Sequence, residues 1–114
     1  MNFTHHIQDG ILEVYLKGDL LGANEFQDLL DLAEEQVANN VTKCFLDITE
    51  VNYMNSTGIS LLIRLLTRFR NKKGEMVLVN PNSSIQKLLI ITKLDTIFGT
   101  FANKEKAIDF LKTL

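Results

Sequence analysis

The chain has 114 residues, 46% of them hydrophobic, which suits a single domain over residues 1–114 built on one core. A formal charge of -2 lacks the basic excess of a nucleic-acid binder and points to a protein or small-molecule partner. No internal disulfide is possible with one cysteine, and no apolar run approaches the roughly 20 residues of a membrane span.

The opening MNFTHHIQDG has no charged stretch followed by an apolar one, so a cytoplasmic protein with no membrane association is expected. Phe3 to Gln8 and Ile11 to Lys17 flank Asp9-Gly10, and a two-residue Asp-Gly loop signals a hairpin because both positions tolerate positive φ. In the second run Leu12, Val14 and Leu16 alternate with Glu13, Tyr15 and Lys17, giving one face to the core. From Asn24 to Val37 the period becomes helical, with Phe26, Leu29, Leu30, Ala33 and Val37 on one face. CFLDI then reads as a short buried strand of the parallel type, with Cys44 as a reduced, buried thiol.

A second helix is expected from about Thr57 to Lys72, with Ile59, Leu62, Ile63, Leu66 and Phe69 facing inward and Leu61 and Leu65 widening that face. EMVLVN is another strand, NPNSSIQKLLIIT a turn into a helix capped by Ser83 or Ser84, and TIFGTF a final short strand. Asn103 is placed to cap a last helix in which Ala107, Phe110, Leu111 and Leu114 share a face. An initial hairpin followed by alternation of helix and strand implies an α/β layer structure with a mixed sheet.

Charge is unevenly distributed. Between Gly18 and Thr42 every charged residue is acidic, and between Val51 and Gly74 every one is basic. These rows are either solvated faces or, along Ser60, Arg64, Thr67 and Asn71 at helical spacing, part of a partner surface.

The stretch YMNSTGIS lies where the CFLDI strand has ended and the second helix begins. One reading is structural: Asn55 or Ser56 caps the helix, worth about 1 kcal/mol. The other starts from Gly58, a poor helix former in the first turn, whose presence suggests close approach by another backbone or a ligand. A serine at a helix N-terminus is also a suitable phosphorylation site, since a dianion there faces the positive end of the helix. Such a modification leaves the fold intact and disrupts any interface that must bury it.

Catalysis finds little support. The nucleophile elbow Gly-x-Ser-x-Gly has Met54 in place of its first glycine, and the two histidines, His5 and His6, are adjacent in a strand and point to opposite faces. The same pair lacks further ligands for a metal, and no glycine-rich phosphate loop occurs. A non-enzymatic protein without cofactor is expected, with a small nucleotide-binding or enzymatic α/β domain as the alternative from another class.

The stretch LDITEVNYMNSTGISLL resembles the signature of STAS-domain anti-sigma factor antagonists: a hydrophobic strand ending in Asp, then Ser or Thr, an aromatic-apolar pair, usually Asp, then Ser, Ser or Thr, and Gly. GDLLGAN, NKKGEMVLVNPNSSIQKLLIITKLDTIF and the last helix extend the likeness over most of the chain. The resemblance implies the STAS (SpoIIAA-like) fold, a mixed sheet of four to five strands packed by about four helices, mainly on one side. It implies that the unmodified protein binds an anti-sigma factor that is itself a serine kinase, freeing a sigma factor for transcription. Phosphorylation by that kinase ends the capture, and a PP2C-type phosphatase reverses it. By position the phosphoacceptor is Ser56, with Thr57 the neighbouring hydroxyl and Asp47 and Thr49 at the strand end.

The implied contact surface takes in Asp19, Leu20, Leu21, Gly22 and Asn24 from the loop after the second strand, and Asn55, Ser56, Thr57, Gly58, Ser60 and Arg64. Asn55 stands where Asp is commoner, which leaves the cap in place but changes the chemistry beside the hydroxyl. Some relatives serve as scaffolds or as subunits of lipid-transport systems without a phosphorylation switch, and that is the second functional expectation. A monomer is expected.

Overall fold

The computed structural model describes residues 1–22 and 24–114, with the side chain of Asn24 outside the described residues. Strands β1 (Asn2–Gln8) and β2 (Ile11–Lys17) form an antiparallel hairpin closed by Gln8 opposite Ile11. Asp9 and Gly10 take φ of 56° and 77°, the left-handed pair that matches the twist of the flanking strands. Strands β3 (Lys43–Glu50), β4 (Glu75–Val79) and β5 (Thr100–Phe101) follow in parallel, and the sheet order is β1-β2-β3-β4-β5. The crossovers contain helices α1 (Asn24–Ala38), α2 (Ser56–Arg70) and α3 (Ser83–Ile91), and α4 (Lys104–Lys112) ends the chain. The expected α/β architecture with a mixed sheet is therefore present.

Strand alternation divides the interior in two. Leu12, Val14 and Leu16 of β2, Cys44, Leu46 and Ile48 of β3, and Met76 and Leu78 of β4 meet the buried faces of α1, α2 and α3 in the larger core. The intervening residues Ile11, Phe45, Val77 and Val79 face the other way and pack on Ala107 and Leu111 of α4. Three helices thus cover one side of the sheet and one covers the other. Parallel strands buried on both faces need continuous apolar runs, which is why CFL and MVLV lack polar alternation. Cys44 is buried in the larger core, and its burial pushes the thiol's pKa up, as expected for a structural rather than a reactive cysteine.

Several local expectations are corrected. In α2 the buried stripe is Gly58, Leu61, Leu62, Leu65, Leu66 and Phe69, while Ile63 is 40% exposed. The stripe follows the leucine pairs because α2 packs against both the sheet and α1, and Ile63 falls outside both contacts. Helix α3 is capped by Asn82, whose side chain accepts from the Ile85 amide at 2.8 Å, so Ser83 and Ser84 are already inside the helix. Residues Leu94–Thr96 form a 3-10 turn ahead of β5, which is shorter than the TIFGTF run. In α4 only Ala107 and Leu111 are buried; Phe110 is 37% exposed and Leu114 lies beyond the helix. Asn103 caps α4 as expected, accepting from the Lys106 amide at 3.0 Å.

Candidate functional site

After β3 the chain passes through Val51 and Met54, both buried, before entering α2. The segment between them runs alongside the loop that leaves β2. The Gly18 amide donates to Glu50 O and the Leu20 amide to Tyr53 O, both at 3.0 Å, and the Asn55 amide donates to Leu20 O at 3.2 Å. Leu20 and Met54 form an isolated parallel bridge. Two irregular segments are thereby joined by main-chain bonds at the end of the sheet.

Asn55 completes the junction. Its Oδ1 accepts from the Gly58 amide at 3.0 Å, which makes it the N-cap of α2, and its Nδ2 donates to Leu21 O at 3.1 Å. An aspartate in this place retains the first bond and loses the second, because an ionised carboxylate has no donor. One side chain thus caps the helix and ties the loop to it.

Gly58 is required by close approach. A Cβ there would collide with Leu20 O and lie 2.8 Å from Leu20 Cβ and 3.1 Å from Met54 Cβ. The neighbouring backbone explains why a weak helix former occupies the first turn. Gly22 has φ of +91°, and a Cβ on it would lie 2.9 Å from Thr57 Cγ2, so the loop also rests against α2 at that point.

On this frame Ser56 is the first residue of α2 and is exposed, as is Thr57 beside it. Asp19, Leu21, Gly22, Ser60 and Arg64 are exposed as well, and Asn55 is half-buried beneath them. Leu20 and Gly58, expected among the contact residues, are buried and form the floor of the surface rather than part of it. Asn24 begins α1, and its expected contact role falls on a side chain outside the described residues.

Tyr53 was not among the expected residues, yet it is 57% exposed, and Leu21 is 50% exposed. The signal for Tyr53 lies in its neighbour: with Met54 turned into the core, an extended backbone turns Tyr53 outward. The surface therefore carries apolar side chains near the hydroxyls of Ser56 and Thr57.

Asp47 and Thr49 serve the strand end. Asp47 Oδ1 accepts from the Thr49 amide at 2.9 Å, and Thr49 Oγ1 accepts from Asn80 Nδ2 at 3.1 Å. Asp47 shares the alternation of Phe45 and so belongs to the α4 side of the sheet. There it adds to the environment of Tyr15, whose pKa rises from 10.0 to about 12 through burial, the hydrogen bond to Glu13, and the negative charges of Glu13, Asp47 and Glu105. The basic row on α2 is partly committed within the fold: Arg68 pairs with Glu34 of α1 at 3.0 Å and Arg70 with Glu75 at 3.1 Å. Among the described residues no group of three or more His, Cys, Asp or Glu side chains could hold a metal ion. No described helix is long and apolar enough to cross a membrane.

Comparison with known proteins gives a consistent picture. BtrV of Bordetella bronchiseptica, whose name assigns it to the anti-sigma factor antagonists, is 27% identical over 113 residues, spanning 99% of this chain and 97% of its own. The anti-sigma-B factor antagonist of Listeria monocytogenes is 35% identical over 52 residues, 46% of each chain. Among solved structures, unphosphorylated SpoIIAA superposes with a TM-score of 0.77 at 16% identity, covering 99% of this chain and all of the other. The phosphorylated form of the Bacillus protein gives 0.75 at 18% identity, covering 95% and 97%. A sequence model of the STAS domain matches residues 2–107, and the chain belongs to the STAS domain family.

Proposed function

We propose that this protein is an anti-sigma factor antagonist, a cytoplasmic, non-enzymatic regulator whose output is a protein interface gated at Ser56. Unmodified, it binds an anti-sigma factor that is a serine kinase and so releases a sigma factor. Phosphate on Ser56 ends the capture, and a PP2C-type phosphatase restores it.

The observation that carries this reading is the exposed Ser56 hydroxyl at the first turn of α2, on a frame fixed by main-chain bonds and Asn55. A phosphate there carries about -1.5 to -2 charges and meets the positive end of the helix, so the folded state tolerates it. A partner that covers Leu21, Tyr53, Ser56 and Thr57 must desolvate or repel the same dianion, and affinity falls. The names of the relatives support the class of partner, and the likeness to SpoIIAA in both states supports a fold that accommodates the modification.

The test has two parts. Intact mass and peptide mapping of protein from its native cells, with phosphatases inhibited, is expected to find one phosphate on Ser56. Phosphorylation, or Ser56→Asp, is expected to weaken binding to the anti-sigma factor by at least about tenfold while the melting temperature moves only slightly. Unchanged affinity, or loss of folding in the modified protein, refutes the switch. Persistent absence of phosphate across growth conditions supports the scaffold or transport-subunit reading in its place.

A further inference from the structure

Strand β1 is one edge of the sheet, with β2 on one side and, among the described residues, no strand on the other. Proteins ordinarily protect such an edge with Lys, Pro, a bulge or brevity, because its free N–H and C=O groups invite another strand. The opposite edge follows that rule, since β5 is two residues long. Strand β1 does not. Its sequence NFTHHIQ contains no Lys, Arg, Asp, Glu or Pro, its register with β2 runs unbroken from Asn2–Lys17 to Gln8–Ile11, and every residue of it except the half-buried Phe3 is exposed.

The hairpin fixes which backbone groups point outward. A two-residue loop makes Gln8–Ile11 a hydrogen-bonded pair, and alternation then does the same for His6–Glu13 and Thr4–Tyr15. The N–H and C=O groups of Phe3, His5 and Ile7 are consequently directed away from β2.

We propose that β1 pairs with β1 of a second copy of this chain, antiparallel, about a two-fold axis at His5. In that register Phe3 faces Ile7 of the second copy, Thr4 faces His6, Asn2 faces Gln8, and His5 faces its own equivalent. The three residues with outward backbone groups fall into hydrogen-bonded pairs, giving about six main-chain bonds. The side chains match by kind: apolar on apolar, amide on amide, and no carboxylate or ammonium opposite its like. Ile7, 40% exposed, gains an aromatic neighbour on each side of the axis. A shift of two residues either way keeps the backbone phase but breaks both Phe3–Ile7 pairs. The contact is isologous and closed, so it yields a dimer rather than a fibre. It replaces the monomer expected from the sequence, and it uses none of the residues assigned to the anti-sigma factor.

Sedimentation velocity of the full chain from the low micromolar to the submillimolar range tests the pairing. The natural chain is expected to show a concentration-dependent monomer–dimer equilibrium. Thr4→Lys with His6→Lys, at two exposed positions, places ammonium groups opposite each other across the axis and is expected to weaken association by at least about tenfold. Thr4→Glu with His6→Lys sets each new carboxylate against a new ammonium and is expected to restore it, whereas a two-residue shift would face like charges. Thermal melts followed by circular dichroism check that each variant is folded. A monomer at every concentration overturns the proposal, as does a dimer indifferent to the lysine pair, or a charge-paired variant no better than the doubly lysine-substituted one.

Discussion

At the scale of single residues the site depends most on Asn55. Asn55→Asp is expected to keep the cap on the Gly58 amide and to lose the donor to Leu21 O, setting a carboxylate against a carbonyl instead. The expected cost is about 1 kcal/mol, concentrated in the loop. Native-state hydrogen exchange checks this: the Leu20 amide, bonded to Tyr53 O, should exchange several-fold faster while the amides of α2 keep their protection. An unchanged Leu20 amide would show that the main-chain bonds hold the loop without the side chain. The capping half of this arrangement was legible, because Asn just before an apolar helical period is an N-cap signal. The tether was not legible, since its acceptor lies 34 residues away and only the folded chain brings it near.

At the scale of elements, α2 has a first turn seated on another segment's backbone. Gly58→Ala forces a methyl group into Leu20 O, an obstacle that cannot rotate away as a flexible side chain could. The variant is expected to lose about 1–3 kcal/mol of stability, read as a lower urea midpoint with an unchanged slope. A neutral result would mean that α2 can move off the loop at no cost. The sequence marked Gly58 as a place of close approach but could not say whether ligand or backbone came near; Leu20 supplies the answer. The misplacement of Ile63 has a similar origin. Helical periodicity identifies an apolar face, yet α2 touches both the sheet and α1, and the angle between those contacts is a tertiary fact. Strands β3 and β4 were easier to read, because unbroken apolar runs follow directly from burial on two faces. The alternation in β2 marked one core face and missed the other, where Ile11 and Glu13 are also buried.

At the scale of the whole molecule, the side of the sheet covered by α4 carries a group, Tyr15, that ties stability to alkaline pH. Glu13, 6% exposed, accepts the Tyr15 hydroxyl at 2.8 Å, and the folded state holds Tyr15 protonated up to about 12, against 10.0 for the ordinary group. Between those values the unfolded chain has already released this proton and the native state has not. The tyrosine's contribution is therefore complete below pH 10 and is lost as pH rises towards 12. Urea denaturation across that window should show stability falling, with a shallower fall in Tyr15→Phe; equal slopes would show that other groups govern the alkaline limit. Tyr15→Phe also leaves Glu13 without its donor and is expected to be less stable at neutral pH by about 1–3 kcal/mol.

The junction between the β2 loop and the approach to α2 is held chiefly by peptide groups, with Asn55 as the side-chain exception. Asp19, Leu21, Tyr53, Ser56 and Thr57 stand on that framework with their side chains in solvent, and the three main-chain bonds of the junction do not involve those side chains. If the proposed function holds, mutation can rewrite the outward chemistry of this surface, and with it the choice of partner, while the scaffold beneath stays insulated from the change. Protein families in which many similar modules must avoid one another's partners inside one cell need this separation of shape from identity.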